Sequence, residues 1–112
     1  MLTKQTFHTV AKIIESLADD YEAGDEFCLY GKTSGELKED EKYWIDDYPD
    51  VSDDGDEIYP DAVVKLSLSY VYSGQQFADV LQNVLSQKKS ASTKDFVAAL
   101  DFYSKNDTFL DF

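Results

Sequence analysis

Between Glu36 and Asp61 the sequence places twelve acidic residues and two lysines, so this window carries ten of the chain's thirteen excess negative charges. No fold of this size can bury so many carboxylates, because an ionised carboxylate leaves water only when it is paired. The charge asymmetry is local, and the rest of the chain reads as the scaffold that holds this stretch. Yet WIDDYPDVSDDGDEIYPD, from Trp44 to Asp61, is not an ordinary solubilising tail. Trp44, Ile45, Tyr48, Val51, Ile58 and Tyr59 are interleaved with its eight carboxylates. A calcium loop, a disordered linker and an acidic recognition surface are the readings it allows.

The flanks supply a core. Phe7, Val10, Ala11, Ile14, Leu17, Ala18 and Tyr21 recur at helical spacing, which predicts an N-terminal amphipathic helix. Thr3 is placed as its N-cap, Leu2 and Phe7 as a hydrophobic staple, and Gly24 as a left-handed terminator. EFCLYGK then reads as a strand, with Gly31 and Gly35 bracketing the turn after it. Residues 60–67 are open between helix and strand, since Val64, Leu66, Leu68, Tyr70 and Tyr72 alternate while Pro60 signals a helix start. Strand is expected for Leu68 to Tyr72. Ser73 with Gln76, and then Ser92 or Thr93, begin two C-terminal helices; Lys88 and Lys89 complement the dipole at the end of the first. Phe77, Val80, Leu81, Val84 and Leu85 stripe one helix, and Phe96, Ala99, Leu100 and Tyr103 the other. Phe109, Leu110 and Phe112 are expected to dock on the core.

The predicted fold class is α+β: a single small domain over residues 1–112, with an N-terminal helix, short antiparallel strands and two C-terminal helices. A length of 112 residues suits one domain, and 43% hydrophobic residues can build its core. All ten basic residues are lysines. So acidic a chain is a poor match for nucleic acid or an anionic membrane, and a good match for a basic protein. Cys28 is the single cysteine, which fits a reducing compartment. The N-terminus reads as mature structure, without the unbroken apolar run of a signal peptide, and no apolar run is long enough to span a membrane. A cytoplasmic location is expected.

Catalytic and metal chemistry find few residues to work with. His8 is the single histidine and borders the apolar face of the first helix; Cys28 lies in a strand context that raises a thiol's pKa. Zinc sites need several such ligands. As an EF-hand, Asp50, Ser52 and Asp54 would stand at loop positions 1, 3 and 5 with Gly55 at 6. Asp61 then replaces the bidentate glutamate, Glu57 takes the hydrophobic position, and Pro60 and Pro49 sit where helix is required. With 23 acidic residues, close carboxylate pairs arise by chance, so they do not diagnose an acid–base enzyme. No cofactor, no metal and no catalytic residue is expected.

Protein recognition remains. Interfaces concentrate their energy in Trp and Tyr anchors within a polar rim. The candidate partner-binding residues are Trp44, Asp46, Asp47, Tyr48, Asp50, Asp53, Asp54, Asp56 and Glu57.

YSGQQFADVLQNVLSQKKSAS, from Tyr72 to Ser92, and FVAALDFYSKNDTFLDF, from Phe96 to Phe112, resemble small bacterial immunity proteins. The pattern is an aromatic-Ser-Gly lead into a helix, then an A-L-x-x-Y-x-x-x-D-x-F ending, over about half the chain. The family includes the immunity partners of contact-dependent growth inhibition toxins. The resemblance implies a cytoplasmic, non-catalytic antitoxin that binds its toxin's C-terminal nuclease domain, in many cases a tRNA-cleaving one, as a monomer in a 1:1 complex. It carries no binding residues with it. An acidic Ca²⁺- or ligand-binding domain is the competing expectation, and a small carboxylate-based enzyme a third.

Overall fold

The computed structural model describes residues 3–32, 37–38 and 41–111. Leu2, Gly35 and Phe112, read above as half of a staple, a turn boundary and a docked terminus, lie outside the described residues.

The apolar periodicity of the N-terminal segment holds from Val10 onward and fails before it. Thr6–Thr9 form strand β1, antiparallel to β3 (Lys42–Asp46), with Thr6 opposite Ile45 and Thr9 opposite Lys42. Thr6, Phe7 and Thr9 are β-branched or aromatic, and a neighbouring strand offers them a ladder, which outweighs a helical prolongation. Thr9, not Thr3, caps helix α1 (Val10–Asp19), its side chain accepting from the Lys12 amide at 3.2 Å. Val10, Ile13, Ile14 and Leu17 are its buried residues; Ala11 is exposed and Ala18 half-buried.

A 3-10 helix, Tyr21–Glu26, follows. Gly24 sits inside it and does not terminate α1: its backbone packs directly against Gly74. Strand β2 (Cys28–Gly31) matches the expected strand. After β3 come a two-residue ladder of β4 (Asp50–Val51) and β5 (Glu57–Ile58), the short helix α2 (Asp61–Lys65), and strand β6 (Ser69–Ser73). Within the undecided segment 60–67, Asp61–Lys65 are thus helical, entered from Pro60, and a turn follows. Ser67 ends it in the left-handed region (φ 55°), with Ser67 N–H donating to the Val64 carbonyl and Leu68 N–H to the Val63 carbonyl. That is the Schellman pattern, with serine where glycine is usual.

Helix α3 (Gly74–Gln87) is capped by Ser73, which accepts from the Gln76 amide at 3.0 Å. Helix α4 (Thr93–Asn106) opens with a reciprocal capping box between Ser92 and Asp95, and Asp95 also pairs with Lys88 at 3.0 Å. The hydrogen bond from the Ser92 backbone and the pair with Lys88 hold the Asp95 carboxyl below its ordinary range. Phe77, Val80, Leu81 and Val84 from α3, and Phe96, Ala99 and Leu100 from α4, are buried; Leu85 and Tyr103 pack at the margin. In the tail, Leu110 packs on the core, whereas Phe109 stays 39% exposed against Tyr103.

The strands assemble as a four-stranded antiparallel sheet in the order β1-β3-β2-β6. Alternation along the strands gives it two different faces. Leu29, Tyr43 and Ile45 point to the main core under α1, α3 and α4; Cys28, Tyr30 and Trp44 point the other way, to a second cluster with Tyr48, Tyr59, Val63 and Leu68. A bulge pairs Leu29 with Tyr72 but Tyr30 with Tyr70, leaving Val71 as the extra residue. Tyr72 therefore joins the main core, its hydroxyl donating to the Leu100 carbonyl, while Tyr70 joins the opposite face. The molecule is a small α+β domain with an N-terminal helix, antiparallel strands and C-terminal helices.

Candidate functional site

On the face away from α1, α3 and α4, one line of direct cross-strand neighbours runs through every strand of the main sheet. Phe7 of β1 is opposite Trp44 of β3, Trp44 is opposite Tyr30 of β2, and Tyr30 is opposite Tyr70 of β6. Directly paired residues share a face, so this is a continuous aromatic row, and such pairs stabilise a sheet. Phe7 and Trp44 meet edge-to-face with centroids 5.1 Å apart. Tyr30 takes Tyr59 and Tyr70 edge-to-face at 6.2 and 6.0 Å. The two ends of the row, Phe7 and Tyr70, are each 39% exposed, while Tyr30 at its centre is buried. The Tyr30 hydroxyl donates to the Asp47 carbonyl at 2.8 Å, and burial raises its pKa far above the ordinary tyrosine value.

The acidic stretch leaves β3 and crosses this face. Tyr48 anchors it: its hydroxyl donates to the Gly24 carbonyl at 3.0 Å and accepts from the Gln75 amide at 3.1 Å. Beyond Pro49 the chain forms the β4–β5 hairpin, with Asp50 opposite Ile58 and Val51 opposite Glu57. Its loop is closed by the Ser52 amide donating to the Asp56 carbonyl at 2.8 Å, and by the Asp56 amide donating to Ser52 Oγ at 3.1 Å. Gly55 supplies the positive φ of 87° that the turn requires.

The candidate residues fall into two groups. Asp50, Asp53, Asp54, Asp56 and Glu57 are exposed on the hairpin, and among the described residues none of them has an ion pair. Between them stand Val51 and Ile58, 69% and 53% exposed. Trp44, Asp46, Asp47 and Tyr48 are committed within the fold. Asp46 is only 1% exposed, its carboxylate accepting from the Trp44 indole N–H at 2.9 Å and the Asp47 amide at 2.8 Å. Asp47 is exposed and pairs with Lys4 at 2.7 Å. The hairpin is where charge is free to act; Asp46 holds Trp44 in place.

Sequence reasoning missed Phe7, Tyr30 and Tyr70, whose alignment depends on register, and underrated Val51 and Ile58 as exposed apolar groups. Of these, Val51 and Tyr70 line a groove of about 300 Å³ between the hairpin and the sheet, together with Tyr48, Pro49, Glu57 and Tyr59.

Other chemistry-bearing groups are quiet. Cys28 is fully buried, and desolvation pushes its thiol up to about 11. His8 lies on β1, not on a helix, 2.9 Å from Thr6 Oγ1 and 3.2 Å from the Thr3 carbonyl. Among the described residues, no three His, Cys, Asp or Glu side chains are placed to hold a metal ion. The stretch compared above with the calcium-loop pattern forms a hairpin, in which Ser52 Oγ accepts from the Asp56 amide. No helix among the described residues is long and apolar enough to cross a membrane.

Residues 7–112 match the family model of DUF7716, a domain of unknown function. The chain belongs to this family. No curated protein and no solved structure matches it. The DUF7716 match begins at Phe7, the first residue of the aromatic row, and takes in the whole acidic hairpin. Both features are therefore parts of the DUF7716 domain. A second concavity of this DUF7716 chain, about 330 Å³, has Leu17, Phe27 and Ile45 at its base and Lys4, Lys12, Glu15, Asp19, Asp20 and Glu26 around it. Its charges are mixed, so it lacks the single-sign field of the hairpin.

Proposed function

We propose that this DUF7716 protein is an immunity protein, a cytoplasmic, non-catalytic antitoxin that neutralises a cognate bacterial toxin domain by 1:1 binding. The toxin class that fits is a cationic, tRNA-cleaving nuclease of a contact-dependent growth inhibition system. One observation carries the reading: the β4–β5 hairpin displays Asp50, Asp53, Asp54, Asp56 and Glu57 without ion pairs among the described residues, around exposed Val51 and Ile58. The resemblance of Tyr72–Ser92 and Phe96–Phe112 to immunity proteins points the same way.

The mechanism follows from charge and shape. A nuclease must keep a cationic groove open for a phosphate backbone. Carboxylates on a protruding hairpin satisfy the same cations and leave no room for RNA. Opposite potentials steer the encounter, and Val51 and Ile58 supply apolar area that is removed from water on docking. The buried Asp46 takes no direct part; it keeps Trp44 on the sheet beside the docking surface.

Co-expression with the product of the neighbouring toxin gene tests the proposal. The wild-type chain should protect cells and bind fast, with association slowing steeply as salt is added. Asp53→Lys, Asp54→Lys and Asp56→Lys together should abolish protection while the fold is retained. Unchanged affinity and protection in that triple variant sink the placement of the interface. Failure to bind any product of an adjacent gene, with stoichiometric micromolar calcium binding by calorimetry instead, sinks the antitoxin assignment.

A further inference from the structure

The groove between hairpin and sheet has the composition of a cation pocket. Tyr48, Tyr59 and Tyr70 supply three aromatic walls, Pro49 and Val51 complete the apolar lining, and Glu57 supplies one carboxylate; no lysine lines it. Its volume of about 300 Å³ is at the lower end of ligand sites and is roomy for a single long side chain. The walls are held from behind. The Tyr48 hydroxyl is bonded to Gly24 and Gln75, and the Tyr59 hydroxyl donates to the Glu57 carboxylate. Tyr59 and Tyr70 both stand nearly perpendicular to the buried ring of Tyr30, at 87° and 83°. A guest therefore meets rings that are already ordered, which removes much of the entropic cost of forming the site.

We propose that this groove is a guanidinium pocket that receives one arginine side chain of a basic partner protein. The inference rests on the antitoxin reading for the identity of the partner, but the pocket itself does not depend on it. Tyrosine faces attract a cation through their quadrupole, and the attraction grows as water is excluded. Arginine suits the site better than lysine, because its planar, weakly hydrated group stacks on rings while its fork pairs with a carboxylate. The −13 net charge draws cations toward the chain. Glu57 then neutralises the guanidinium, and the tyrosines fix its orientation.

The probe is Nα-acetyl-arginine methylamide, titrated into the full chain and followed by the ring signals of Tyr48, Tyr59 and Tyr70 in NMR. Saturable shifts confined to those rings are expected, with none from the neutral citrulline analogue. Tyr59→Leu, which keeps every charge, should weaken binding about three- to tenfold, and Glu57→Gln should weaken it while leaving the ring environment intact. Equal shifts with citrulline, or no change in Tyr59→Leu, overturn the pocket. Equal affinity for the matching lysine derivative overturns the preference for guanidinium. The hairpin triple variant, with Tyr59 and Glu57 intact, should still show the ring shifts. Ring shifts in a wild-type chain that binds no neighbouring toxin sink the antitoxin reading alone, and toxin binding by a wild-type chain without ring shifts sinks the pocket alone.

Discussion

Gly24 and Gly74 touch backbone to backbone. A Cβ on Gly74 would lie 2.5 Å from the Gly24 carbonyl oxygen, and a Cβ on Gly24 would strike the Gly74 carbonyl oxygen in turn. The contact seats the 3-10 helix against the start of α3, and Tyr48 bridges the same junction through Gly24 and Gln75. The blocking atoms are backbone, so no rotamer change relieves them. Gly24→Ala and Gly74→Ala should each destabilise the fold by about 1–3 kcal/mol. Because both crowd one contact, the double variant should cost less than the two single losses together, as a double-mutant cycle in urea will measure.

Asp46 is the second internal constraint. Removing its carboxylate leaves the part-buried Trp44 indole N–H and Asp47 amide without their acceptor and empties the site of a side chain that is 1% exposed. An orphaned donor costs up to about 1–3 kcal/mol where water cannot reach it. Asp46→Ala should therefore lower stability by several-fold more than Asp53→Ala on the hairpin, and shift Trp44 fluorescence as the indole loosens. Equal stability of the two variants by chemical denaturation would show that the Asp46 hydrogen bonds are dispensable.

What the sequence discloses follows the range of the interactions concerned. The stripes of α3 and α4 and their Ser73 and Ser92 caps depend on residues three or four apart, and they stand where the pattern puts them. The start of α1 does not, because Thr6–Thr9 have β3 partners 33 to 39 residues away that no local window contains. Gly24 carries the same glycine signal for a helix terminator and for a close backbone approach; only the position of Gly74 separates them. In the acidic stretch, charge alone discloses the exposure of the carboxylates from Asp50 to Glu57 but not the hairpin they form. Nor does it disclose the burial of Asp46, which depends on which face of β3 the residue takes and on what covers that face. The Val71 bulge likewise decides which tyrosines reach the aromatic row, and alternation in sequence cannot foresee it.

Cys28 gives a pH signature. Burial raises its thiol from 9.0 to about 11, and partial desolvation likewise raises the Tyr70 phenol to about 12. Both groups are neutral when protonated, so the folded state holds its protons to higher pH than the unfolded chain does. Their stabilising effect is complete below pH 9 and is lost as pH rises through the folded values. Thermal stability should decline from about pH 9 upward. Cys28→Ala should blunt the fall between pH 9 and 11. At pH 8 the native thiol should resist aromatic disulfide reagents and react only on unfolding; immediate stoichiometric labelling of the native chain would contradict the packing of β2.

The hairpin carboxylates should oppose folding while serving binding. Asp50, Asp53, Asp54 and Asp56 are exposed, close in sequence and without ion pairs among the described residues, so each adds repulsion that the free protein cannot relieve. Like charges at this spacing interact over less than a Debye length, and screening by salt weakens them. Asp53→Asn, Asp54→Asn and Asp56→Asn combined should therefore raise Tm by a few degrees at low ionic strength, consistent with about 0.5–1 kcal/mol of relieved repulsion. Adding salt should stabilise the wild type more than the triple variant, so that their Tm values converge. Toxin affinity should move in the opposite direction, with the stabilised variant binding more slowly and less tightly. On the proposed antitoxin reading, a variant that gains stability and keeps full affinity would place the partner's cations elsewhere.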